Sequence, residues 1–242
     1  VVTVVAFYTL LFMAISALFY AGGMAGIRKG LRSHAGEVEV AQALTREMMA
    51  ETNARRQRHL ASVLGEQGEA AVAPLLEVLN RGNPHLWILA AEALERIRSE
   101  QAIPALTAGL SSEDENVRST ALGALRAMEE PIPVEDLIPL MEDPAFHVRV
   151  RALEALAEQG DPGVLDWGAR LLADSDGRGR AGVVDVLGGT GSSEAVPLLA
   201  NLLSDESAWV RREAVIALIR IGSPEIKPVL LGALSDRDWE IR

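Results

Sequence analysis

The chain has 242 residues, 49% hydrophobic and 24% charged, enough apolar side chain for a sizeable core and too much for disorder by composition. It has no Cys, which excludes a disulfide framework, thiolate metal sites and a cysteine nucleophile. A net charge of −11 and only 4% aromatic residues argue against nucleic-acid binding, and His34, His59, His85 and His147 lack ligand spacing, so neither metal nor cofactor is expected.

Residues 1–27 carry no charged side chain, and Arg28, Lys29 and Arg32 follow at once. About 20 apolar residues at about 1.5 Å each cross the hydrocarbon layer, so this run is predicted to be a transmembrane helix. A signal peptide would put its charge in front of a shorter apolar run. The basic residues behind the span place the N-terminus outside the inner membrane and the rest of the single-pass chain in the cytoplasm. Ala17, Ala21 and Ala25 fall four apart, as do Gly22 and Gly26. That spacing fits either a face docked on another membrane helix or the ordinary composition of membrane spans. Residues 28–38 read as a basic linker.

From about residue 39 the chain repeats. Arg118, Arg149, Arg180, Arg211 and Arg242 are evenly spaced (149 − 118 = 31), and Asp143, Asp174, Asp205 and Asp236 keep the same step six residues ahead of an Arg. Leu94, Leu125, Leu156, Leu187 and Leu218 form another column, and Gly160, Gly191 and Gly222 close three units. Each unit reads as two helices. In the copy at 196–224, Pro197 opens the first helix, Ser204 to Ser207 turn, and a second helix from about Ala208 stops at Gly222. Such a pair exposes an apolar face until it is stacked, so 39–242 is predicted to be an all-α solenoid of about six and a half hairpins. Stepping back one period places Leu44, Met48, Arg56 and Val63 in a divergent first unit. The last unit stops at Arg242 with its second helix just begun, and a continuing chain is expected.

The pattern Pro-Leu-Leu, Asp, Val-Arg, Ala-Leu and closing Gly-Ser-Pro in 197–224 resembles the short HEAT-like repeats of phycobilisome bilin lyases and of many bacterial scaffold proteins. The resemblance implies that second helices line the inner surface. It also implies that Asp143 with Arg149, Asp174 with Arg180, Asp205 with Arg211 and Asp236 with Arg242 form a structural ladder between units. Arg81 and Ser112 stand in the Asp column and Trp87 in the Arg column, so the ladder is expected to fail near residues 80–118.

Gly177 to Gly182, GRGRAG, matches a dinucleotide-binding GxGxxG but follows the end of a helix instead of a strand, so nucleotide binding is not expected. The six Gly between 177 and 191 predict the weakest unit of the stack: a hinge, a place of close approach, or drift. Acid pairs such as Asp236 and Asp238 fall in turns and recur with the period, and no nucleophile stands at motif spacing from a base, so no catalytic residue is assigned.

Residues 28–70 hold seven basic against six acidic residues, with Arg55, Arg56 and Arg58 clustered; residues 71–242 hold 16 against 28, a net of 16 − 28 = −12. That division fits either a rod held upright, its basic end by the membrane and its acidic end repelled by it, or an ordinary solvated acidic surface. Phe146 and Trp239 share a repeat position (239 − 146 = 93) and Trp209 lies one place along. Aromatics near turns either fold back over their own unit or anchor a partner. The expected function is a membrane-anchored, non-catalytic scaffold or accessory subunit of an integral membrane enzyme, transporter or polysaccharide synthase. A signalling subunit is the alternative, and a bilin lyase-like enzyme a third.

Overall fold

The computed structural model describes residues 34–81, 83–128, 130–173 and 177–242. These fold as helices joined in pairs, and there is no strand among them. The pairs are α1 (His34–Ala50) with α2 (Ala54–Glu66), α3 (Val72–Arg81) with α4 (Pro84–Ile97), and α5 (Ile103–Gly109) with α6 (Glu115–Arg126). Next come α7 (Val134–Leu137), running on as a tight 3-10 turn to Glu142, with α8 (Phe146–Glu158); α9 (Val164–Ala173) with α10 (Gly177–Gly189); and α11 (Val196–Asn201) with α12 (Ala208–Ile221). A first helix without its mate, α13 (Ile226–Ala233), ends the series.

Local chemistry explains the punctuation. Pro84, Pro104 and Pro197 sit in first turns, where a missing N–H breaks no helical bond. Asn53 accepts the N–H groups of Arg55 and Arg56, Asn83 that of Leu86, and Asp114 those of Asn116 and Val117, each capping a second helix. Gly160, Gly191 and Gly222 leave their helices in the left-handed region at φ 69°, 65° and 66°. In the α3–α4 unit Arg98 holds the equivalent position (160 − 98 = 62, two periods), at φ 56°.

The second helices form an unbroken spine, α2 on α4 on α6 on α8 on α10 on α12, while among the described residues the closest approaches between first helices are at α1–α3 and α3–α5. Small residues on the spine, such as Ala90, Ala121, Ala152 and Ala214, are fully buried and permit the close spacing. A stack tighter along its second helices curves toward them, which puts them on the inner face. One apolar core runs from Ala41 to Ile226. Leu44, Met48 and Val63 are buried in it, and α1 already includes residues 34–38 of the expected linker. Arg56 does not follow the period: it lies exposed and faces Glu51 at 3.2 Å.

The GRGRAG stretch forms the opening turns of α10. Close approach explains one of its neighbouring glycines: a β-carbon on Gly188 would stand 2.6 Å from the Ala217 β-carbon and 2.8 Å from its α-carbon. Among the described residues no helix is long and apolar enough to cross a membrane. The expected span at 1–27, with Ala17, Ala21, Gly22, Ala25 and Gly26, lies outside the described residues, as does Asp174.

Candidate partner-binding surface

Along one edge of the solenoid, where first helices turn into second, the Asp and Arg columns meet. Their wiring differs from the sequence spacing. Arg118 grips the carboxylate of Asp143 in the next unit, Nε to Oδ2 at 2.6 Å and Nη2 to Oδ1 at 2.7 Å. Arg180 grips Asp205 at 2.7 and 2.9 Å, and Arg211 grips Asp236 at 2.8 and 3.1 Å. Each partner is thus 25 residues ahead (143 − 118 = 25), not six behind. The Arg six residues after each Asp instead donates to that residue's main-chain carbonyl: Arg149 to Asp143, Arg211 to Asp205 at 2.9 Å, and Arg242 to Asp236 at 2.7 Å.

Each Asp carboxylate also accepts the N–H two residues on, that of Ala145 or Ser207 at the opening of a second helix and that of Asp238 in the turn after α13. Burial opposes the charge on Asp143 and Asp205, but the Arg118 and Arg180 hydrogen bonds and these N–H groups outweigh it. Both carboxyls lie below the ordinary range. Asp236 is lowered first by its hydrogen bonds from Arg211. Arg118, Asp143 and Arg211 are buried, so the ladder is internal structure and not an open site.

The expected failure of the ladder near residues 80–118 is confined to its first step. Arg118 donates to the carbonyl of Ser112 at 2.8 Å, a bond indifferent to the side chain in the Asp column. Trp87 in the Arg column is buried instead of charged, and its ring lies against Gly109.

The three aromatic candidates separate. Phe146 is half-buried against the core, with the Arg149 guanidinium 4.9 Å from its ring centroid, so it serves its own turn. Trp209, in the first turn of α12, is 62% exposed, and Trp239 is 74% exposed. On the helical face of Trp209 follow Arg212, exposed, Ile216 at 38% and Ile219 at 58%. Ile216 and Ile219 hold the repeat positions of Asp185 and Gly188 (216 − 185 = 31), which meet Arg220 and Ala217 of the next unit, so their face is the one that stacks along the solenoid.

The inner face also carries polar links between units: Arg126 to Glu154 and Glu158, Arg220 to Asp185 at 2.9 Å, and Arg96 to Ser62 at 3.0 Å. Between α2 and α4 it opens into a groove of about 410 Å³ lined by Arg55, Arg58, Glu92 and Arg96. Among the described residues no group of three or more His, Asp or Glu is placed to hold a metal ion.

A family model for HEAT repeats matches residues 41–126, 103–167 and 166–242. No curated protein matches the chain. Among solved structures, YibA of Escherichia coli superposes with a TM-score of 0.62 at 20% identity, over 84% of this chain and 78% of that one. An engineered protein superposes with a TM-score of 0.51 at 21% identity, over 95% and 78%. Human deoxyhypusine hydroxylase in complex with glycerol gives 0.42 at 24% identity, over 85% and 84%. At these identities the likeness is one of fold.

Proposed function

The chain belongs to the HEAT-repeat family, and on that premise we propose that it is a non-catalytic scaffold that grips a protein partner through α12 and the adjoining turn edge. The observation that carries this reading is Trp209, a large aromatic 62% exposed in the first turn of α12 beside the turn edge. Large aromatics exposed near turns invite a partner, and Trp is enriched among the anchors of interfaces. Trp239, one period from Ala208 (239 − 208 = 31) and 74% exposed, adds a second indole on the same edge.

The partner in this proposal is an integral membrane enzyme, transporter or polysaccharide synthase, and the scaffold is its accessory subunit. The uncharged run 1–27 followed by Arg28, Lys29 and Arg32 supports tethering in the inner membrane with the solenoid in the cytoplasm. Protease added to intact cells should leave residues 39–242 uncut; digestion from outside would reverse the topology. If Ala17, Ala21 and Gly22 pack on a partner helix, Ala21→Leu should loosen the complex while the repeats stay folded. Undiminished co-purification would dismiss that contact.

For the grip itself, the test is purification of the complex in mild detergent with Trp209→Ala. The variant should lose about 2 kcal/mol or more of partner affinity with little change in unfolding midpoint. A large drop in midpoint with binding intact would make the indole a structural group and sink the assignment.

A further inference from the structure

The Arg55, Arg56 and Arg58 cluster is sorted by the fold. Arg56 points to the acids at the end of α1, at 3.2 Å from Glu51 and 3.9 Å from Glu47, and is neutralised there. Arg55 and Arg58 turn to the inner groove between α2 and α4, exposed, and among the described residues neither guanidinium has an ion pair or hydrogen bond. Across the groove Arg96 holds Ser62 with Nη1 at 3.0 Å and carries further N–H groups beside it. Leu89 and Ala93, each 2% exposed, and Ala61 form an apolar floor. Three guanidinium groups facing one carboxylate, Glu92, make a positive hollow in a chain whose net charge is −11.

We propose that this groove receives an acidic peptide segment of a partner, its carboxylates taken by Arg55, Arg58 and Arg96. Arginine is suited to that task because its planar fork donates to a carboxylate in pairs. The recess lies on the inner face of the stack, which a flat bilayer does not enter. The strongly acidic remainder of the chain is repelled by anionic lipid, so a peptide fits the groove better than a membrane surface does. Glu92 tempers the field and gives the site a sign: an anion bound here is repelled by it. The site is separate from Trp209, at the other end of the stack.

The test uses the full chain in a neutral detergent and a fluorescein-labelled peptide of repeated Glu-Glu-Leu, read by anisotropy at low salt. Binding should saturate, Arg55→Gln with Arg58→Gln should weaken it about tenfold or more, and Glu92→Gln should tighten it about threefold. All three positions are exposed, so unfolding midpoints should not move. A Lys-Lys-Leu peptide should not bind, and Trp209→Ala should leave the Glu-Glu-Leu affinity unchanged. No saturable binding, binding indifferent to the double substitution, or weaker binding with Glu92→Gln would each overturn the proposal. So would phosphatidylserine vesicles that bind through Arg55 and Arg58 while the peptide does not.

Discussion

The indole of Trp87 lies so close to Gly109 that a β-carbon on the glycine would stand 2.4 Å from the ring. In the following units the place of Gly109 is taken by Leu140, Leu171 and Leu202 (140 − 109 = 31), and the place of Trp87 by Arg. One repeat has exchanged a charged link for a ring in a slot cleared by a missing side chain. Gly109→Ala should therefore destabilise by about 1–3 kcal/mol, the range for overpacking a filled site. Urea unfolding measures it, and an unchanged midpoint would show that the ring has room to move.

Removing Asp143 leaves the buried Arg118 guanidinium without its counter-charge and takes the opening N–H bond from α8. Asp143→Ala should cost about 3 kcal/mol or more. Because each unit of a solenoid touches only its neighbours, the loss should also loosen the coupling of the two halves of the stack, broadening the unfolding transition. A two-state transition at the original midpoint would contradict the ladder's role.

The lowered carboxyls of Asp143, Asp205 and Asp236 fix the sign of the acid response. Unfolded Asp takes up protons around about pH 3.9, before the folded ladder does. Ladder stability is therefore complete above that range and is lost as pH falls through the lower folded values. Urea midpoints across the acid range should fall less steeply for Asp143→Ala than for the parent chain; parallel curves would remove Asp143 from the acid response.

Arg98 ends α4 with φ 56°, in the conformation for which three other units use Gly. An L side chain there costs about 1–2 kcal/mol relative to the right-handed region, offset in part by the extra freedom of an unfolded glycine. Arg98→Gly should raise stability by up to about 1 kcal/mol, visible as a higher thermal midpoint. A lower midpoint would mean that the Arg98 side chain supplies more than its backbone costs.

The helices, their phase and their glycine stops were legible because burial imposes a period and stops need particular residues: the 196–224 unit reads off the chain almost as it folds. The wiring of the ladder was not. A separation of six between Asp143 and Arg149 suggests a local pair, whereas helix stacking brings Arg118 to the carboxylate and leaves Arg149 the carbonyl. Nor could periodicity distinguish Phe146 from Trp209. Their fates depend on a guanidinium lying over one ring and on what the helix face beyond the other is doing. The basic groove needed the fold as well, since Arg55, Arg56 and Arg58 are consecutive enough to read as one patch and are turned to opposite sides.

The central claim, that this scaffold holds a membrane partner by α12, is tested most directly by photocrosslinking in native membranes. A benzophenone side chain is placed in turn at Trp209 and at Glu77, half-exposed on the first helix α3. A scaffold gripping with α12 gives a discrete adduct with an integral membrane protein from position 209 and none from position 77. No adduct from position 209, or the same adducts from both positions, would contradict it.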